Sequence, residues 1–240
     1  MMINKIKQLF NELQTRSRFT EAQSRELEWA DIYHDTIRGR KWLEDLPLSP
    51  GRWAANYSLL YILARILSDY KPETILEFGL GESSKVISSF LKNELKTSKH
   101  IIVEHNEDWI KVFENRFALA GNSVIAHHNS IVTTGHEFEI NSYENLKPYS
   151  EQVMDLYLVD GISSARYSRN YIIRMLENVT QQNEFMIIMD DYMRQGEQDT
   201  ANELLKMFAQ KNIKTYAGSY TGNKSQLIIA TEKYKFSTSF

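Results

Sequence analysis

Residues 75–87, ILEFGLGESSKVI, pass from an apolar run through an acidic residue and two glycines into a serine-led, helix-like stretch. That order describes a buried strand that enters a tight turn and leaves as a helix. Gly79 and Gly81 carry no side chain, so the backbone can turn sharply there and come close to a ligand. Ser83 or Ser84 can cap the helix that follows. Glu77, inside the strand, is costly to bury unless something needs its charge.

Outward from this turn, short apolar runs alternate with amphipathic stretches. The runs are TILEFG (74–79), HIIVEH (100–105), SVIAHH (123–128), DLYLVDG (155–161), FMIIMDD (185–191) and SQLIIAT (225–231). Most are continuous rather than alternating, as expected of parallel strands covered on both faces. Helical spacing falls between them, in SSKVISSFLKNEL, EDWIKVFENRFALAG, RYSRNYIIRMLENV and GEQDTANELLKMFAQ. The end of the chain, IKTYAGSYTGNKSQLIIAT, holds two strand-like runs with no room for a helix, so a hairpin must reverse the last strand. The expected fold is α/β: a doubly wound, mostly parallel seven-stranded sheet with an antiparallel last strand. Residues 1–70 differ. Helical patterns at about 2–16, 20–40 and 53–70 are broken by DLPLSPG, which predicts an N-terminal helical cap or a dimerisation surface ahead of a domain spanning 71–240. Residues 131–150 show no clear period and read as a long loop or short hairpin near the strand ends.

The chain has 240 residues, a formal net charge of −3 and no cysteine, which removes disulfides, thiolate metal sites and cysteine nucleophiles together. An acidic balance argues against nucleic acid as a partner. No run reaches membrane-spanning length and the amphipathic N-terminus is not a signal peptide, so a cytoplasmic protein is expected.

The second strand ends IIVEHN, and Glu104 at its tip, about 20 residues past the turn, is placed to accept hydrogen bonds from both hydroxyls of a ribose. A dinucleotide fingerprint would put a third glycine where Ser84 stands. LEFGLGESS followed by IIVEHNEDW resembles the first two motifs of class I S-adenosylmethionine-dependent methyltransferases, over roughly residues 70–231. The resemblance implies a Rossmann-like domain binding S-adenosyl-L-methionine. It assigns Glu77, Gly79, Gly81 and Ser83 to the methionine and ribose side, with Glu77 near the sulfonium charge. Glu104 falls to the ribose, Asn129 and Ser130 to the adenine, and Asp160 to the methionine part. An acidic residue is more usual near the adenine position.

Asp160, Asp190 and Asp191 stand at the ends of the fourth and fifth strands. Three converging carboxylates repel unless a cation or proton compensates, and hard oxygen ligands suit Mg²⁺. The set is similar to that of catechol-type, metal-dependent O-methyltransferases, with Asp191 replacing an asparagine and no lysine in GISSARY to act as base. Arg166 stays protonated and is a poor base. Of the histidines, His105, His127 and His128 stand at expected strand ends on the ligand side; His127 and His128 project to opposite faces of a strand, so at most one faces the site, and His127 is named with Asp160 as a catalytic candidate. Arg166 and Arg169, read on one helix face, would suit an anionic substrate. The expectation is a bacterial methyltransferase acting on a small molecule, such as a sugar hydroxyl, with the N-terminal helices as a homodimer surface. The rivals are an NAD-dependent oxidoreductase and a non-catalytic scaffold whose N-terminal helices meet a partner.

Overall fold

The computed structural model describes residues 2–51, 53–135 and 137–240. Its helices are α1 (Met2–Ile37), α2 (Lys41–Glu44), α3 (Tyr57–Asp69), α4 (Glu82–Asn93), α5 (Glu107–Glu114), α6 (Tyr171–Met175) and α7 (Gln195–Gln210). Its strands are β1 (Thr74–Phe78), β2 (Lys99–Glu104), β3 (Ser123–His127), β4 (Ser130–Gly135), β5 (Phe138–Tyr143), β6 (Leu156–Val159), β7 (Met186–Met189), β8 (Tyr216–Thr221) and β9 (Ser225–Ala230). Seven of them form one sheet in the order β3-β2-β1-β6-β7-β9-β8. Its first five strands are parallel, and β9 runs antiparallel to both β7 and β8, as the terminal hairpin requires. Strand order reverses beside β1, so the ends of β1, β2 and β6 flank a crevice of the kind that binds ligands in open α/β sheets.

The parallel strands are apolar on both faces because both faces are covered. Ile75 and Leu156 pack with α1, α3 and α4, while Leu76, Phe78, Tyr157 and Val159 pack with α6 and α7. The alternation that places Phe78 on one face places Glu77 on the other, under α4.

Three expectations change, and one alternative is decided. The two N-terminal helical patterns are one continuous helix, α1, because no proline or glycine interrupts residues 2–37. The third begins only at Tyr57, leaving Trp53 in the preceding loop and 89% exposed. Residues 166–170 are not helical: Tyr167 (φ 47°) and Arg169 (φ 61°) take the left-handed backbone, and α6 starts after them. Of the two alternatives for the stretch after β3, the hairpin is the one formed: β4–β5 is antiparallel and is followed by a short 3₁₀ turn at Lys147–Tyr149. Among the described residues no helix is long and apolar enough to cross a membrane.

Candidate functional site

Gly79 takes φ +96°, and a Cβ there would lie 2.8 Å from the Gly161 nitrogen, so the β1 and β6 strand ends touch through two glycines. Gly81 is different. Its backbone is extended, and a Cβ would meet nothing within 4 Å, so open space faces it at the start of α4. The Gly81 N–H donates to the Ser84 hydroxyl (3.0 Å), which closes the first turn of the helix.

Glu77 does not face this space. Its side chain is 0% exposed, accepting from the Ser83 hydroxyl (2.5 Å) and lying 2.9 Å from His100 Nε2. The carboxylate expected beside a sulfonium therefore ties α4 to β1 and β2, and the Ser83 hydroxyl is spent on it. Strand alternation is the cause, since the residue before Phe78 must point to the α4 face.

Glu104 is buried at the tip of β2 and joins three loop amides. Its Oε1 accepts from the His105 and Asn106 N–H groups at 2.7 and 2.8 Å, and its Oε2 accepts from Leu80 N–H at 3.0 Å. The last bond ties the β2 tip to the glycine turn. A carboxylate has about four lone-pair positions, so one on Oε2 is left for a ribose hydroxyl, where the sequence suggested contact with both. Trp109 Nε1 donates to Leu80 O (2.7 Å) and braces the same turn from α5. Asn129 and Ser130 lie exposed beyond β3, where the Asn129 amide donates to Glu144 Oε2 (3.2 Å). Glu144, just past the end of β5, thus puts an acidic group beside Asn129.

At the β6 and β7 ends, oxygens of Asp160, Asp190 and Asp191 lie within 4.8 Å of one another. Arg169, 1% exposed, enters this group and donates through Nη2 to Asp160 Oδ1 and Asp191 Oδ2, both at 2.9 Å. Its Nη1 donates to the carbonyls of Asp190 (2.6 Å) and Val159 (3.3 Å). Lys224 Nζ lies 3.0 Å from Asp190 Oδ2, and Gln226 Nε2 donates to Asp190 Oδ1 at 2.7 Å. Arg194 adds a contact to Asp191 at 3.1 Å. Asp190 feels burial, but Lys224, Arg169 and Gln226 outweigh it and hold its pKa below the usual carboxylate value. Asp160 keeps 27% of its side chain exposed. Burial outweighs Arg169 there and pushes its pKa up to about 7.

The expected Mg²⁺ does not fit these donors. Both oxygens of Asp190 and Oδ2 of Asp191 already accept hydrogen bonds from nitrogen, and an ion between the carboxylates would meet the guanidinium. The two catalytic candidates, His127 and Asp160, stand apart. His127 ends β3, three strand spacings or about 14 Å across the sheet from β6, with its Nε2 3.0 Å from the His105 carbonyl. Arg166 pairs with Asp199 on α7 (2.5 Å) and Arg169 is buried, so neither offers a fork to an anion.

Tyr143 on β5 and Tyr171 on α6 form the inner wall of the site, with ring centroids 5.1 Å apart. The Tyr171 hydroxyl donates to Asp160 O (2.8 Å), and the Tyr143 hydroxyl accepts from Ile162 N–H (3.3 Å), where a Cβ on Gly161 would collide with it. The two rings also line a cavity of about 290 Å³, whose other polar groups include Ser142, Lys147, Arg174 and Glu177. Lys224, Gln226 and Tyr143 did not stand out in the sequence. The signal for the first two was the reversed last strand: β9 beside β7 brings the turn before it to the ends of the parallel strands.

No family model matches the chain, and no curated protein matches it. Solved structures do. A protein from Klebsiella pneumoniae described provisionally as an O-methyltransferase aligns over 83% of this chain and 89% of its own, at 14% identity and a TM-score of 0.51. The O-methyltransferase TomG from Streptomyces achromogenes, involved in tomaymycin synthesis and solved with S-adenosylmethionine, aligns over 85% and 88%, at 13% identity and 0.51. Cofactor-bound Rv0187 from MTB aligns over 88% and 89%, at 14% identity and 0.50. The fold is that of the class I, Rossmann-like methyltransferases, with the antiparallel β9 setting it apart from a plain dinucleotide-binding sheet.

Proposed function

We propose that the protein is an S-adenosylmethionine-dependent O-methyltransferase acting on a small hydroxyl compound. One observation carries the reading. At the reversal of strand order, Gly81 opens onto free space while Glu104, bonded to Leu80 N–H, keeps one acceptor position beside it. Open backbone at a helix start suits the cofactor's carboxylate, and an acidic strand tip suits its ribose. Gly79, Gly81, Glu104 and the Asp160 end of β6 would hold the cofactor, with Asn129, Ser130 and Glu144 toward the adenine. Glu77 and Ser83 act from behind, by fixing the turn.

Bound S-adenosylmethionine would supply a methyl group already activated on a sulfonium, so alignment is the larger part of the chain's task. The acceptor hydroxyl must still lose its proton. Asp160 is suited to take it, because one oxygen is held by Arg169 while the side chain keeps an exposed face, and its pKa near 7 matches a base working near neutrality. A cavity of about 290 Å³ against Tyr143 and Tyr171 has room for a small acceptor, and its wall carries Lys147 and Arg174 together with Glu177, so an acceptor with an anionic group such as an acidic sugar would meet charges of both signs there.

Calorimetric titration tests the reading against its first rival. Micromolar binding of S-adenosylmethionine and of its demethylated product, with no response to NAD, is expected. Binding of NAD alone would replace the reading with an oxidoreductase, and binding of no nucleoside at all would favour a scaffold.

A further inference from the structure

Three aspartates that converge at a strand end need a positive charge among them, and the chain brings its own. Asp190 is completely buried and both of its oxygens are bonded, one to the Lys224 ammonium and one to the Gln226 amide. Asp191 shares one oxygen between Arg169 and Arg194. Asp160 gives one oxygen to Arg169 and shows the rest of its carboxylate to the crevice.

These contacts are not incidental to the backbone. Arg169 (φ 61°) and Asp191 (φ 56°) are both in the left-handed region, which costs a residue with a side chain roughly 1–2 kcal/mol. Such conformations persist where the surroundings over-determine them. The left-handed turn at Arg169 ends the loop after β6 and sends the guanidinium inward, where the carbonyls of Val159 and Asp190 receive it. Lys224 is fixed from the opposite side. Glu26 of α1 accepts from Asn223 N–H and from the Asn56 amide (both 2.9 Å), and Asn56 Oδ1 accepts from the same Gln226 amide nitrogen that serves Asp190. The β8–β9 turn is thereby clamped with its lysine aimed at Asp190.

We infer that Arg169 and Lys224 stand where a divalent cation would otherwise be needed, so that this chain holds its three strand-end aspartates together without metal and leaves Asp160 as the carboxylate turned toward the crevice. Both cations act as positioning residues. Three cations, counting Arg194, face four carboxylates, counting Glu197 beneath Arg169 (3.6 Å), so the group is close to balanced before any ion arrives. The inference shares the crevice with the proposed methyl-transfer reading, but its test uses no nucleoside, so either can fail without the other.

Titration of the full-length chain with Mn²⁺, followed by electron paramagnetic resonance, should show no saturable site, and EDTA should leave the melting temperature unchanged. Uptake of one equivalent that is lost in Asp190→Asn would overturn the inference. Lys224→Met and Asp190→Asn should each lower the melting temperature, and the double variant should melt above either single one; additive losses would contradict the pairing. Lys224→Met should also gain what the native chain lacks, an upward melting shift on adding Mn²⁺ or Mg²⁺. A Lys224→Met variant indifferent to both ions would refute the substitution of ammonium for metal, whatever its stability.

Discussion

Replacing Glu104 by alanine removes two things at once, and the structure lets them be separated. In the free protein the carboxylate receives three backbone N–H groups, from Leu80, His105 and Asn106. At about 1 kcal/mol each, their loss costs about 3 kcal/mol, which in a chain of this size lowers the melting temperature by roughly 6–12 °C. In the complex the variant also lacks the one remaining acceptor position. A hydrogen bond to a charged group contributes about 1.5–3 kcal/mol, so the dissociation constant for S-adenosylhomocysteine should rise about 10- to 150-fold. Calorimetry at a temperature where both proteins are folded reads the second effect free of the first. Glu104→Gln is the control: it keeps one carbonyl oxygen but sets an amide N–H against that of Leu80, so affinity should fall while less stability is lost. Because a single position is free, deletion of one ribose hydroxyl from the ligand should weaken binding and deletion of the other should not. Unchanged affinity in Glu104→Ala would refute the ribose assignment, and an unchanged melting temperature would refute its part in holding the glycine turn.

The two glycines of that turn should respond differently to alanine. Gly79→Ala forces a Cβ against the Gly161 nitrogen at a positive φ and should be strongly destabilising in urea titration, whereas Gly81→Ala should leave stability nearly unchanged and weaken cofactor binding. Asp160 has a folded pKa of about 7, raised by burial from 3.8, so the native state holds a proton that the unfolded state releases between those values. Stability should therefore fall as pH rises from about 4 to about 7, and the difference between the native chain and Asp160→Asn across that window isolates the effect. Glu26→Ala should cost about 2–4 kcal/mol, since it leaves the Asn56 amide and the Tyr57 and Asn223 N–H groups without their acceptor; a cost below about 0.5 kcal/mol would remove Glu26 as the clamp on the β8–β9 turn.

The parts of the site that are contiguous in the chain were legible. Gly79 and Gly81 follow a run too apolar to be anything but a buried strand, and Glu104 and Asp160 each close another such run. The terminal hairpin followed from two strand-like runs with no room for a helix between them. What could not be read was which way a side chain turns and what it meets across the sheet. Glu77 looked like a ligand contact because it precedes the turn, but the parity of a strand sends it under α4 to His100. Arg166 and Arg169 looked like neighbours on a helix, and the left-handed backbone at Tyr167 and Arg169 separates them, one to Asp199 and one into the carboxylate group. The cations that face the three aspartates were hidden for a related reason. Lys224 lies 34 residues beyond Asp190, and only the antiparallel pairing of β9 with β7 brings them together.

The central claim, that this crevice presents S-adenosylmethionine to an acceptor, is tested most directly by a crystal structure of the chain with S-adenosylhomocysteine. The expected result is the ribose on Glu104, the amino-acid portion along Gly79–Gly81 and the sulfur toward Asp160. Ligand bound elsewhere, or a crevice that excludes it at saturating concentration, would contradict the account.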